Sequence, residues 1–554
     1  MGLIFPSLGW DLAFIAASLA VFTAWVYTKA FSYWSSRGVY SIKPVIFFGN
    51  MKDKILMVRS FSDVLNDIYR NTEGHKFVGL YDAKKPMLMV KDLELIKNIM
   101  ARDFTSFSDR GIPSDKSNPI SENLFNIGGS RWRKLRNKLT PTFTSGKMKL
   151  MYKLMLECSE ELVAWLKDLN NNEEVVEVKE MVAKFTTDVI GSCVFGLQIN
   201  ALKDPNSEFR MMGRSIVDPP QISRYLIIMA TILPFFRKFL QPKNDDKNAF
   251  FLKIVKEVVS FRENTNVVRD DFIQMLIQLK KYGKVDTEKN PVTESTTTNR
   301  MNEQPNFDTK RDDSLEITDG LLAAQCYIFF VAGFETSSTT ISCCLHELSV
   351  NTAVQDRLRR EVATVLRRHD HQLNYEALQE MKYLDQVIDE TLRKYPPVSF
   401  LFRACTKPYT VPGSNVHIDK GTMTIIPVRS LHHDPKYFPC PERFDPERFN
   451  EENVKKIPQF AYLPFGEGPR LCIGLRFGRM QVKVCLIALL KHFEFSVCDK
   501  TSVPLRFSFK IPFIDTPKEV WLRVKKIPVI QEFSQRTDVY KRVKVQRDMF
   551  QNSS

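Results

Sequence analysis

Pro464-Phe465-Gly466-Glu467-Gly468-Pro469-Arg470-Leu471-Cys472-Ile473-Gly474 carries the pattern F-x-x-G-x-R-x-C-x-G. A cysteine sits in a glycine-rich loop, and Val482, Leu486, Leu489, Leu490 and Phe493 follow at helical spacing. The spacing predicts a helix starting at or just after Cys472. The partial positive charge at such an end favours a thiolate over a thiol. A thiolate is a soft metal ligand. Gly468 and Gly474 lack a Cβ, so backbone there can approach a flat group closely and can adopt positive φ. Arg470 can meet a carboxylate in a fork. A lone Cys-x-Gly is more often a buried structural cysteine. The complete pattern ahead of a helix points to a ligand.

The chain around this loop has 554 residues, 44% of them hydrophobic, enough for a large core. Ten cysteines are too few for a disulfide framework and show no paired zinc spacing. A reducing compartment suits a free thiolate. The net charge is +15, which fits anionic lipid or an acidic protein partner. No nucleic-acid motif accompanies it. Leu12 to Tyr27 is an uncharged apolar run. Extended back to Leu8, it reaches the length of about 20 residues that crosses a bilayer. Asp11, near its start, is expected at the interface. Trp10, Trp25 and Tyr27 suit the membrane interfaces, and Lys29, Arg37 and Lys43 follow the run. That charge asymmetry puts the N-terminus outside and the bulk of the chain in the cytoplasm.

Further on, Arg37-Gly38-Val39 through Phe48-Gly49-Asn50 reads as a turn-rich hinge. Phe77–Tyr81 and Met87–Val90 flank a Lys-Lys-Pro turn and predict a hairpin. Phe104 to Ile127 is a polar loop carrying Phe104, Phe107 and Phe125. Trp132 and Arg136 share a helical face. Lys280 to Asp313 has only Tyr282, Val285, Val292, Met301 and Phe307 as large apolar residues, so it reads as a disordered insertion. Leu315 to Leu348 predicts one long apolar helix. Glu335 and the Ser/Thr residues after it argue against a second membrane span. Gly333 in Ala332-Gly333-Phe334-Glu335-Thr336-Ser337 costs a helix interior up to about 1 kcal/mol relative to alanine, so it needs a reason. Glu390 and Arg393 stand at i, i+3, and two P-E-R-F stretches follow, at Pro441–Phe444 and Pro446–Phe449.

A cysteine thiolate can hold haem iron on one face and favour O–O cleavage on the other. With that loop, the Trp132/Arg136 pair, the Ala-Gly-Phe-Glu-Thr-Ser patch and Glu390-Thr391-Leu392-Arg393, the chain from about Tyr33 to Val524 resembles the cytochrome P450 superfamily. Tyr33 to Val39 and Phe185-Thr186-Thr187-Asp188-Val189-Ile190-Gly191 resemble insect microsomal members that oxidise xenobiotics. The resemblance implies a mainly α fold with small β-sheets (α+β). It implies an anchor at 1–30, a hinge at 31–50 and a catalytic domain at 51–524, within which the 280–313 insertion falls; beyond 524 the resemblance stops, and 525–554 is a basic extension without an assigned role. It implies haem b (iron protoporphyrin IX) with Cys472 as axial ligand and Phe465, Gly468 and Gly474 shaping the loop. Trp132, Arg136, Arg403 and Arg470 would hold the haem propionates. Gly333 would open a groove for dioxygen, and Thr336 with Glu335 would deliver protons. Glu390, Arg393 and Arg448, from the context F-D-P-E-R-F, would form a buried structural triad.

By the same resemblance, the 104–127 loop, Phe209 to Phe236, Pro396 to Phe400 and the Phe507–Phe513 hairpin surround the substrate. The implied reaction is NADPH-driven monooxygenation of a small apolar molecule by O2 at the endoplasmic reticulum membrane. No flavin or nicotinamide fingerprint is present, so electrons come from a partner. NADPH–cytochrome P450 reductase is implied, with cytochrome b5 as a second donor. The reductase is expected to dock on Arg133, Lys134, Lys138, Arg476, Arg479 and Lys483. Oxidation of an endogenous hormone, pheromone or fatty acid is the alternative role. A haem-thiolate isomerase without a reductase, or a haem sensor, is the alternative chemistry.

Overall fold

The computed structural model describes residues 8–115, 117–169, 173–217, 229, 245–283, 315–508 and 513–527. Helices dominate, with four small sheets among the described residues. The organising element is the central helix, Asp319–Val350. Thr318 caps it, its side chain accepting from the Leu321 N–H at 3.2 Å. Most of its side chains are buried, so it shows no amphipathic stripe in the sequence. Although long and apolar enough to cross a membrane, it has 67% of its apolar stretch buried in protein, which makes it the spine of the core. Helices Val178–Ile190 and Leu475–His492 pack on it, and helix Ser145–Leu169 packs on both of those. Phe185, Phe330, Phe334, Leu345 and Leu486 lie in this one core.

The main sheet frames the other side of the site. Phe77–Asp82 and Lys85–Val90 pair antiparallel, with Ala83 left-handed at the turn (φ 51°). Lys85 and Pro86 belong to the second strand, so the turn is tighter than the expected Lys-Lys-Pro stretch. Met423–Ile426 joins in parallel, and Leu401–Ala404 closes the sheet with Arg403 opposite Thr424. Strand alternation sends Phe400 and Phe402 into a small core with Met51 and Ile425, leaving Leu401 and Arg403 on the opposite face. Phe400 is 4% exposed and packs 4.6 Å from Phe61. It is a core residue here, not the substrate contact expected.

The first helix, Leu8–Phe31, is almost wholly exposed, with Leu12, Ile15, Leu19 and Phe22 outward. The segment after it is fastened rather than hinged. Trp34 is fully buried, its Nε1–H donating to the Leu80 carbonyl at 3.0 Å. A Cβ on Gly79 would lie 2.4 Å from that indole. The Tyr81 hydroxyl donates to the Phe31 carbonyl at 2.7 Å. At the other end, Trp521–Lys526 runs between Glu173–Glu177 and Phe493–Ser496, so ordered chain passes the expected boundary at 524. Phe272–Tyr282 is a helix, so Lys280–Tyr282 finish an element instead of opening an insertion. The rest of the expected insertion lies outside the described residues, as does the extension beyond 527. Of the expected roof, Glu208–Val217 is a helix with Phe209 5.9 Å from Phe330; the rest, except residue 229, lies outside. Phe507–Ser508 pairs with Thr516–Pro517, and 509–512 lie outside.

Candidate active site

Cys472 precedes helix Leu475–His492, whose N-cap is Gly474. Its N–H donates to the Phe465 carbonyl at 3.0 Å, which closes the loop. Gly468 has φ +70°, and a Cβ there would lie 2.0 Å from the Met100 carbonyl oxygen. Its missing Cβ leaves room for that neighbouring backbone. Gly474 has an ordinary negative φ (−88°), and a Cβ there would meet nothing within 4 Å. The Cys472 thiol is enclosed by protein yet has an accessible surface. It therefore lies in a recess of the protein with its side chain accessible. Burial pushes its pKa up, opposed by the Gly474 N–H and by Arg136 and Arg110. Desolvation thus opposes the helix-end effect expected from the sequence.

Four guanidinium groups gather beside this thiol. Arg136 donates to the Leu471 carbonyl at 2.9 Å. Arg470 donates to the Ser108 carbonyl at 2.8 Å and the Ile127 carbonyl at 2.9 Å, and lies 4.1 Å over the Trp132 ring. Arg403 donates to the Phe402 carbonyl at 2.7 Å. Arg110 donates to the Phe125 carbonyl at 3.1 Å and stacks on its ring. One guanidinium nitrogen of Arg470 and Nε of Arg403 are buried without a partner. Burial pulls Arg403 down to about 10. Burial, with Arg403 nearby, pulls Arg470 down to about 9. Burial also lowers Arg110, with Arg403 and Arg470 adding to it. The nearest recorded counter-charge is Asp109, 3.8 Å from Arg470. Buried cations with unused donors call for an anion. The carboxylates of a haem beside a thiol ligand fit that demand. Arg110 went unnoticed in the sequence. Its one signal was its place in Phe107-Ser108-Asp109-Arg110-Gly111, where a lone loop arginine reads as solvated.

On the central helix, Ala332 is exposed although it stands midway along a buried helix. Thr336, one turn on, is half-buried, and its hydroxyl donates to the Ala332 carbonyl at 2.6 Å. Glu335 points elsewhere. It is 2% exposed and 2.8 Å from Lys179 Nζ, which also donates to Ser338 at 2.8 Å. Gly333 faces Ile190, whose Cδ1 would lie 2.3 Å from an added Cβ. Helix packing, not a groove for dioxygen, explains that glycine.

The family model Cytochrome P450 matches residues 41–522. The chain belongs to the cytochrome P450 family. It is similar to Cytochrome P450 6k1 of Blattella germanica, at 41% identity over 91% of this chain and 95% of that one. It is similar to Probable cytochrome P450 6a13 of Drosophila melanogaster, at 43% over 89% and 94%. Cytochrome P450 6a2 of the same fly is 40% identical over 93% and 99%. Membership makes the protein a P450 monooxygenase with a haem cofactor held by a thiolate.

Two further groups of residues in this P450 separate on inspection. Arg393 grips Glu390 through Nε at 2.7 Å and a second nitrogen at 2.9 Å, both side chains fully buried. Arg448 lies 3.4 Å from the same carboxylate, while Arg443 is exposed and paired with Asp445. The structure thus brings Glu390, Arg393 and Arg448 together. The basic face does not hold together in the same way. Arg479 pairs with Asp385 at 3.0 Å and with Asp389, and Lys483 pairs with Asp385 at 3.0 Å. Their side chains are 14% and 6% exposed, so they belong to the interior. Arg133 and Arg476 are exposed, and Lys134 and Lys138 are half-buried.

Proposed function

We propose that this P450 inserts one oxygen atom from O2 into small apolar molecules, using NADPH electrons delivered by a membrane-bound flavoprotein reductase, with cytochrome b5 as a second donor. The role proposed is oxidation of xenobiotics such as plant toxins or insecticides, in keeping with the resemblance to insect microsomal members. The carrying observation is an accessible Cys472 thiol clustered with Arg110 and Arg136, beside Arg403 and Arg470 whose buried donors are unused. When bound, haem supplies the oxygen activation, and the protein positions and tunes it. The Cys472 sulfur would hold its metal. Arg110, Trp132, Arg136, Arg403 and Arg470 hold the carboxylates and fix the orientation of the ring. The Thr336 hydroxyl, on the central helix, holds a water and passes protons. Glu335 is turned away to Lys179, so the proton-source role expected for it is not part of this reading. The exposed first helix supports an anchor in the endoplasmic reticulum membrane, with the catalytic body facing the cytoplasm.

The test is turnover of a panel of plant toxins, insecticides and endogenous lipids by membranes holding this chain and its reductase. Product should need both NADPH and O2. Thr336→Ala should keep its haem, yet release more peroxide and less product per NADPH. Product formed without NADPH would overturn the monooxygenase reading. Unchanged product per NADPH in the Thr336 variant would overturn the role given to that hydroxyl.

A further inference from the structure

Between the Glu390–Arg393 pair and the cysteine loop lies a buried histidine that neither the sequence motifs nor the ligand set includes. His432 ends the short helix Val428–His432 and is fully buried. Its backbone carbonyl accepts from Arg393 at 2.9 Å. Its ring makes two further contacts, with Nδ1 3.2 Å from the Arg393 carbonyl and Nε2 2.9 Å from the Leu463 backbone nitrogen. The Leu463 N–H can only donate, so Nε2 accepts and Nδ1 carries the proton. Burial holds the ring neutral, with a pKa down to about 3, as one donor and one acceptor require. Tyr462 packs 5.2 Å from the ring.

Leu463 is where the cysteine loop begins. Pro464 has no N–H, so the Leu463 amide is the last backbone donor before Phe465. The Leu463 carbonyl in turn accepts from Gly466 at 3.1 Å, and Phe465 accepts from the Cys472 N–H at 3.0 Å. An unbroken chain of contacts thus runs from Arg393 through the imidazole to the backbone that holds the sulfur.

We propose that His432 is a positioning residue for the thiolate, tying the Arg393 carbonyl to the Leu463 amide so that the cysteine loop enters its turn in one register. The proposal rests on Cys472 being the ligand. A ligand sulfur must sit within a few tenths of an ångström of its place, and a loop of glycines has little stiffness of its own.

The experiment compares His432→Gln, His432→Asn and His432→Leu in the full-length, haem-loaded protein. Glutamine reaches as far as Nε2 and keeps an acceptor for Leu463. Asparagine reaches only as far as Nδ1. Leucine keeps neither bond. The readouts are the ferrous carbonyl spectrum, which separates thiolate-ligated from displaced haem, and the melting temperature. In the wild type and the glutamine variant the thiolate-type band should dominate. In the asparagine and leucine variants the ratio of thiolate-type to displaced form should fall by roughly tenfold or more, the effect of one buried donor left unsatisfied. Equal ratios in all four proteins, or ratios that merely follow the melting temperatures, would overturn the inference alone. A wild type without the thiolate-type band would overturn the ligand assignment and the inference with it.

Discussion

Lys179 and Glu335 hold opposite charges 2.8 Å apart, with side chains 12% and 3% exposed. A buried pair adds little net stability against an apolar replacement, but removing one partner leaves an uncompensated charge. Lys179→Met should therefore lower the unfolding free energy by about 3–5 kcal/mol, read from denaturant melts. Adding Glu335→Gln should recover most of that loss. A Lys179→Met protein as stable as the wild type would show that Glu335 is not held as a buried anion. This pair also marks the limit of reading the site from the chain. Cys472, Trp132, Arg136, Arg403 and Arg470 were legible because short motifs carry them. Glu335 and Thr336 were legible as residues but not as an arrangement, because side chains at i and i+1 do not face each other on a helix. Lys179 was invisible, since its partner lies 156 residues away and a lysine near a helix start reads as solvated.

At the scale of elements, the crossing of the central helix with Val178–Ile190 depends on one absent methyl group. Gly333→Ala places a Cβ 2.3 Å from Ile190 Cδ1, and overpacking of this kind costs about 1–3 kcal/mol. Ile190→Val removes that δ carbon. The double variant should thus be more stable than Gly333→Ala alone, although Ile190→Val by itself costs about 0.5–1.5 kcal/mol. A double-mutant cycle measures the coupling. An unchanged melting temperature in Gly333→Ala, with less product per NADPH, would restore the dioxygen groove as its reason. The elements themselves were largely legible. The central helix and the hairpin follow from unbroken apolar runs and turn residues. The hinge was misread because turn chemistry is local, whereas the burial of Trp34 against Gly79 and Leu80 is tertiary. The insertion was started too early because Lys280 and Lys281, polar in composition, finish an amphipathic helix. Phe400 was misassigned because strand alternation decides which of two neighbouring residues faces the site.

Over the whole molecule the net charge of +15 fits anionic lipid or an acidic protein partner, but does not say where either meets the surface. Arg479 and Lys483 neutralise Asp385 and Asp389 inside the protein, so they lend nothing to an outer field. Arg133, Lys134 and Lys138 lie on the helix Gly129–Leu139, which reaches the cysteine loop through Arg136, and Arg476 lies in the first turn of the helix that follows Cys472. Rim charges of this kind steer encounter more than they hold a complex, and they weaken with salt. Reversing Arg133, Lys134 and Arg476 to glutamate should therefore slow the first electron transfer from the proposed reductase roughly tenfold or more at low ionic strength. The gap should narrow as salt rises past about 0.15 M, where the Debye length falls to about 8 Å. Arg479→Glu should act differently. It places a carboxylate among Asp385 and Asp389, so it should lower the melting temperature and leave the salt dependence of reduction unchanged in the protein that still folds. Stopped-flow reduction under carbon monoxide across a salt series separates the two. A triple variant reduced at the wild-type rate at every salt concentration would move the docking site to another face.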